Sequence, residues 1–427
     1  MKIVRPYTLK GRLLCLALKC LLWPVHLIYG KQWQRAIEFE ENPRTYTFKT
    51  FLYFAYKYYY RSPDLPVVDN IVDHFKKVPK HDAEFTELCS ISIGGDLMPY
   101  EMIKPENTHE LWDRVGPDFF GSDLVFANLE TPLDTAQKPC FVPEVMLSDM
   151  HFNTDATTFS VFSGNGRFKG YDVLSVANNH SMDMGEVGLD ATLWYLQEQN
   201  IATVGAKHHE DDPDYAIREV NGLKIGFVAY TFSLNQLLPP HDKPWKVNYM
   251  PLNLAHCPID RIVDDIQSCR DAGAEFIICS LHFGNAYQVY PSMRSLDLVN
   301  EIFEKTGVDI IAGGHPHNLQ PWRYYHYKDA KSGQQKTGFA IYSLADFIAY
   351  DIYTWCHLCA WLKVSVGRKN DGSIGYSVKV HPLIMRREDH QLKLYPAEEL
   401  LNANKTDSEL EDIRILYDIC MDQTYSS

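Results

Sequence analysis

An α/β fold is the architecture this 427-residue sequence predicts, and three observations predict it. Apolar, β-branched runs of strand length recur between residues 88 and 344. Helical spacing fills several of the gaps between them. Hydrophobic residues make up 45% of the chain and charged residues 22%, a balance that supports a large buried core and excludes wholesale disorder. The length suits one large domain or two ordinary ones.

Residues 1–61 stand apart. Residues 1–60 hold ten Lys/Arg against three Glu, so this segment carries +7 within a chain of net charge −14. "RLLCLALKCLLWPVHLIYG", 12–30, is apolar, yet Lys19 interrupts it and no small-residue cleavage site follows. Arg5, Arg12, Lys19 and His26 recur every seven residues, which from Arg12 onward places them on one narrow helical stripe with leucines elsewhere. Pro24 is expected to end or kink that helix. "TFLYFAYKYYYR", 50–61, is aromatic and basic, as membrane-interface segments are. Two readings stand: a membrane-associated interfacial helix, or amphipathic helices packed on the body. Ten cysteines without regular spacing fit a reducing, cytoplasmic compartment, and the "CHLC" pair Cys356 and Cys359 has no second pair to complete a zinc site. Residues 62–87, with "SPDLPVVDN", are expected to be a linker.

The main domain is predicted over 88–385. Its strand-like runs lie at 88–93, 123–127, 171–177, 224–230, 275–281, 308–312 and 338–344. Between them, Leu189, Leu193 and Leu196 share a helical face, as do Ile262, Ile266 and Cys269, and a third helix carries Val299, Ile302 and Phe303. Such alternation points to strands buried on both faces. Charge rises in residues 386–427, which are expected to form a helical extension closing on "SELEDIRILYDICMDQ".

Chemistry-bearing residues follow the runs. Asp96 follows the first, Asn128 and Glu130 the second, and Asn178, Asn179, His180 and Asp183 the third; His282, then His315 and His317, follow two later ones. The carboxyl ends of strands form the functional edge of α/β sheets, so these groups are placed to converge. Carboxylates, imidazoles and an amide oxygen together suit a divalent metal such as Mn, Fe or Zn.

"GGDLM", "ANLETP", "SVANNHSMDMGEVGL", "SLHFG", "GGHPHNLQP" and "YSLADF", in this order, resemble the motif series of the bacterial capsule-synthesis CapA and poly-γ-glutamate PgsA family. That family is similar in fold to the calcineurin-like metallophosphoesterases, so the resemblance implies a sandwich of two mixed β-sheets flanked by helices, preceded here by the N-terminal helical segment. It also implies one or two divalent ions: Asp96 and His317 on the first, Glu130 bridging, and Asn179, His282 and His315 on the second. His180 would be catalytic, protonating a leaving group or an oxygen on phosphorus. Substrate contacts are expected from Asn128, Asn178, Arg294 and Asp346. Departures from the pattern are Met98 where active phosphoesterases carry a histidine, Asn285 and Ala286 in place of an acidic residue, Asp346 for asparagine and Arg294 for glutamine.

The implied function is a metal-dependent hydrolase, a phosphoesterase acting through activated water, linked to synthesis of a capsule or poly-γ-glutamate-type polymer. The alternative is a non-catalytic or amide-acting, membrane-associated factor that binds or anchors an anionic polymer. Partners are thus a phosphoester or anionic polymer and a membrane surface. The net negative charge argues against nucleic acid.

Overall fold

The computed structural model describes residues 4–426 apart from 38–43, 45, 64, 65, 67, 80, 82, 83, 148, 149, 405 and 406. After the short strand β1 (Lys77–Pro79), four strands lie side by side in parallel: β2 (Thr86–Leu97), β3 (Leu124–Leu129), β4 (Val173–Ser175) and β5 (Ala202–Val204). The chain then builds a second sheet from β6 (Tyr215–Val220), β7 (Leu223–Thr231), β8 (Phe276–His282), β9 (Ile310–Gly314), β10 (Trp322–Lys328) and β11 (Gln335–Ile341). Its order is β10-β11-β9-β8-β7-β6, with β6 and β10 antiparallel to their neighbours and the rest parallel. β12 (Asp346–Ile348) returns to the first sheet and pairs in parallel with the end of β2, Asp346 opposite Asp96. The antiparallel strands β13 (Leu358–Arg368), β14 (Ile374–Glu388) and β15 (Gln391–Pro396) complete that sheet on the other side of β2. β16 (Thr424–Ser426) pairs with β1 in parallel.

Both sheets are therefore mixed, and the second is buried on both faces. Its side chains alternate between two cores, as the period of a strand dictates. Ile225, Phe227, Ile278 and Ile310 join a core shared with Ile91, Ile93 and Phe126 of the first sheet. Val228, Tyr230, Ile277 and Ile311 point the other way, into a core with Ile262 and Ile266 of helix Asp260–Asp271 and with Val299 and Ile302 of helix Met293–Thr306. The helical faces predicted from spacing are buried, including Leu189, Leu193 and Leu196 on helix Gly185–Glu198. Helix Ser408–Met421 is the predicted closing helix. All ten cysteines are free thiols.

Three stretches differ from expectation. Residues 62–87 include helix Asn70–Lys76, whose Ile71 and Phe75, one turn apart, are buried in the second core. The extension after 386 begins as β15, in which Leu392 and Leu394 are buried and Lys393 between them is not. A two-residue turn joins β14 to β15. Both its residues, Asp389 and His390, have positive φ (47° and 66°), the mirror-image turn that matches strand twist. Finally, the N-terminal helix Leu9–Tyr29 runs through Pro24 without ending there. Its last turn is secured instead by His26, which stacks on Tyr56 and Tyr60 and meets the Tyr56 hydroxyl at 2.8 Å.

That helix is inverted relative to an ordinary surface helix. Gly11, Cys15 and Leu22 face the body, whereas Leu9, Leu21 and Ile28 are 73%, 73% and 72% exposed. Among the described residues it is the helix long and apolar enough to cross a membrane.

Candidate metal centre

The strand ends of both sheets meet at one place. Asp96 ends β2, Glu130 directly follows β3, and Asn178 to His180 follow β4; His282 ends β8, and His315 and His317 follow β9. Glycine permits the approach. A Cβ on Gly314 would sit 2.6 Å from Asp96 Oδ1, and one on Gly95 would sit 2.2 Å from the Ala345 carbonyl oxygen. His315 and His317 both take positive φ, 94° and 61°, a conformation that costs energy for residues with a Cβ and that gathers at functional sites.

Ligand atoms of Asp96, Glu130 and His282 lie within 4.8 Å of one another, and so do those of Glu130, His315 and His317. Glu130 is common to both groups. Of the other residues, Asp96 and His282 fall in one group, and the two histidines of "GGHPH" in the other. All five residues are buried. Asp96 accepts a hydrogen bond from Asn128 Nδ2 (2.8 Å) and another from the His315 backbone N–H (3.0 Å). Burial and the neighbouring Glu130 push its pKa up to about 6, against the pull of His282. His282 Nε2 lies 2.8 Å from Asn179 Oδ1, and burial drives this imidazole well below its ordinary range. Burial alone would lower His317 too. The Asp346 carboxylate, 2.8 Å from its Nδ1, outweighs that and holds its pKa up to about 10.

Glu130 decides whether the donor set fits a cation. It is fully buried, and neither carboxylate oxygen has a hydrogen-bond partner among the described residues. His282 Nε2 is 3.5 Å from Oε1. A buried carboxylate without a partner is costly, and a cation among three imidazoles and a second carboxylate relieves that cost. The mixture of nitrogen and oxygen donors fits a divalent ion of intermediate hardness. Asp346, on the other ring nitrogen of His317, is where a supporting carboxylate stands in carboxylate–histidine–metal arrangements.

Of the residues expected to contact substrate, Asn128, Asn178 and Asp346 lie in the hydrogen-bond network of the cluster and Arg294 lies apart. Asn178 is fully buried and braces the site, donating to the Leu129 carbonyl (2.7 Å) and to Asn128 Oδ1 (3.2 Å). Asn128 in turn holds Asp96, and Asp346 holds His317. Arg294 donates to the carbonyls of Leu252 (3.3 Å) and Cys257 (3.5 Å), and does not line the cavity beside the cluster. That cavity, of about 200 Å³, is lined beside the cluster by Asn179, His180, His315, His317 and Met98.

Two features beside His180 were not assigned a role from sequence: Asp183, named there only as a strand-end group, and Phe152. Asp183 Oδ2 lies 2.6 Å from His180 Nδ1, and Phe152 stacks on the His180 ring at 3.8 Å. The carboxylate orients the imidazole and leaves Nε2 for whatever occupies the cavity. The spacing of three residues between His180 and Asp183 is the signal for that pairing; nothing in the sequence points to Phe152.

A family model described as "Bacterial capsule synthesis protein PGA_cap" matches residues 90–351. The chain belongs to this family. The match spans every residue of the cluster and leaves the N-terminal helix and β13 to β16 outside. The PGA_cap chain is 25% identical over 271 residues to the capsule biosynthesis protein CapA of Bacillus anthracis, an alignment covering 61% of this chain and 60% of that one. It is 27% identical over 257 residues to the PGA biosynthesis protein CapA of Bacillus subtilis strain 168, covering 58% and 63%. It thus spans about three-fifths of the length of the curated relatives it matches. Among solved structures, calcineurin-like phosphoesterase YfkN of Bacillus subtilis aligns over 77% of this chain and all of its own, at 14% identity and a TM-score of 0.39. A hypothetical protein from Thermus thermophilus aligns over 69% of this chain and 99% of its own, at 13% identity and a TM-score of 0.37.

Proposed function

We propose that this PGA_cap family protein is a metal-dependent phosphoesterase, associated with a membrane through its N-terminal helix and serving synthesis of a capsule or poly-γ-glutamate-type polymer. The observation that carries the reading is Glu130, a buried carboxylate with no hydrogen-bond partner among the described residues, ringed by His282, His315 and His317. The names of the CapA relatives support the link to polymer synthesis.

Asp96, Glu130, His282, His315 and His317, with the Asn179 amide oxygen, would hold one or two divalent ions such as Mn, Fe or Zn. Such an ion supplies Lewis-acid polarisation of a phosphoryl oxygen and of the attacking water. The protein does the rest. Asn128 and the His315 N–H fix the Asp96 carboxylate, so its position does not depend on substrate. Asp183 sets the His180 ring so that Nε2 faces the cavity and can deliver a proton to the departing oxygen.

The test combines metal analysis with turnover of a phosphomonoester, a phosphodiester and a γ-glutamyl peptide. Metal-replete protein should cleave a phosphoester, and His180→Ala should lower kcat by roughly 10²- to 10⁴-fold with bound metal unchanged. Metal-replete protein that leaves both phosphoesters intact overturns the reading; cleavage of the γ-glutamyl peptide alone moves the chemistry to amides.

A further inference from the structure

We propose that the phosphoester this site takes is the phosphate of a long apolar chain, drawn from a lipid bilayer. The inference rests on the phosphoester reading above and concerns what lies beyond the phosphate. Away from the histidines, the lining is mostly apolar, with Phe51, Phe54, Met146, Met150, Phe152 and Leu237, and its uncharged polar groups are those of Asn235, Gln236 and the tyrosines Tyr46, Tyr100 and Tyr287. No lysine or arginine lines it among the described residues. An anionic polymer threaded here would bring further carboxylates to a largely apolar lining that offers no lysine or arginine among the described residues. An alkyl or prenyl chain suits such a lining, gaining roughly fourfold in affinity per buried methylene.

The mouth of the cavity continues onto apolar surface. Phe51 and Phe48, on helix Phe48–Ala55, are 46% and 78% exposed. Helix Leu9–Tyr29 is fastened to the same rim at both ends. At its start the Thr8 backbone N–H donates to Glu144 Oε1 at 2.7 Å, between the lining residues Val142 and Met146. At its end His26 stacks on Tyr56 and Tyr60, just beyond the Phe48–Ala55 helix, and the Tyr59 hydroxyl donates to the Met146 carbonyl. The helix that carries the exposed leucines is thus tied at both ends to segments that border the cavity. A bilayer against those leucines places its acyl region at the cavity mouth, and a chain can enter without first crossing water.

Binding of ethyl-, hexyl- and dodecylphosphonic acid to the metal-loaded full chain tests this, because phosphonates keep the head group and are not hydrolysed. Affinity should rise on the order of a hundredfold or more from ethyl to dodecyl. Phe51→Ser, at a half-exposed position, and separately Leu237→Ser, should each cut that ratio at least tenfold. A flat series in which ethylphosphonate still binds overturns the apolar-chain proposal and leaves the phosphoester reading standing. Failure of every phosphonate to bind takes down the phosphoester reading itself. Dodecanol binding as tightly as dodecylphosphonate also overturns the proposal, since the head would then go unrecognised. For the bilayer as source, hexadecyl phosphate in phosphatidylcholine vesicles should be cleaved faster than butyl phosphate in solution; the reverse order overturns it.

Discussion

Glu130 has a consequence that can be measured without any substrate. Its carboxylate is buried without a hydrogen bond from the described residues, so in metal-free protein it destabilises the fold. Glutamine keeps the shape and removes the charge. Metal-free Glu130→Gln is therefore expected to be more stable than metal-free wild type, by about 1–3 kcal/mol in chemical unfolding. Added Mn or Zn should stabilise wild type in proportion to occupancy and leave the variant nearly unchanged. Equal responses to metal in the two proteins would remove Glu130 from the site. At this scale the sequence was legible where residue type alone carries the chemistry, as at Asp96, His282 and the "GGHPH" pair. It was not legible at Arg294, because a guanidinium serves backbone carbonyls as readily as a ligand. Nor did it distinguish Asn128 and Asn178 as braces, since an amide that holds a carboxylate looks the same in sequence as one that holds a substrate.

Elements were legible in proportion to their periodicity. The three helices with apolar residues three and four apart, and the long β-branched strands, were readable; β15 was not, because its turn residues Asp389 and His390 are not the usual glycine-bearing pair. The N-terminal helix carries a basic stripe in its sequence, and its packing turns that stripe's end, His26, inward and most of its leucines outward. Leu16 (59% exposed) and Leu27 (64%) lie three turns apart on one outward face. Replacing both by lysine should leave chemical stability within about 1 kcal/mol, as exposed substitutions do, while lowering flotation with phosphatidylcholine vesicles severalfold. If flotation persists and the change appears instead as a lost dimer in light scattering, the leucine face binds a second copy. Helix Asn70–Lys76 makes a separate prediction about acid. His74 Nδ1 accepts from Arg323 at 2.8 Å, and burial with that guanidinium lowers its pKa to about 4. The native state thus holds the imidazole neutral while the unfolded chain protonates it near pH 6.5. Its contribution is present above that pH and is lost as pH falls toward about 4. His74→Asn should narrow the drop in Tm between pH 7 and pH 5 by about 2–4 °C; an unchanged drop would clear His74 of the acid response.

Across the whole molecule, the site exists because two sheets end at the same seam. The first sheet contributes Asp96, Glu130 and the "NNH" residues, and the second contributes His282, His315 and His317. Alternation in the sequence implied strands whose ends could converge, yet which strands share a sheet is set by pairings far apart in the chain, such as Asp346 beside Asp96. Local pattern carries no record of those pairings, and it was the order of the motifs that stood in for them. The seam is close enough for one methyl group to disturb it. Gly314, the last residue of β9, faces Asp96 across the sheets, and a Cβ there would lie 2.6 Å from Oδ1. Backbone φ at Gly314 is not left-handed, so alanine meets a steric conflict and no conformational one. Two packed sheets resist spreading, so the Asp96 carboxylate must swing aside and loosen its bonds from Asn128 and the His315 N–H. Gly314→Ala should therefore cost about 1–3 kcal/mol in unfolding and weaken metal binding at least tenfold, measured by competition with a chelator. Loss of stability with unaltered metal affinity would show that Asp96 can move without consequence, and that the contact between the sheets serves packing alone.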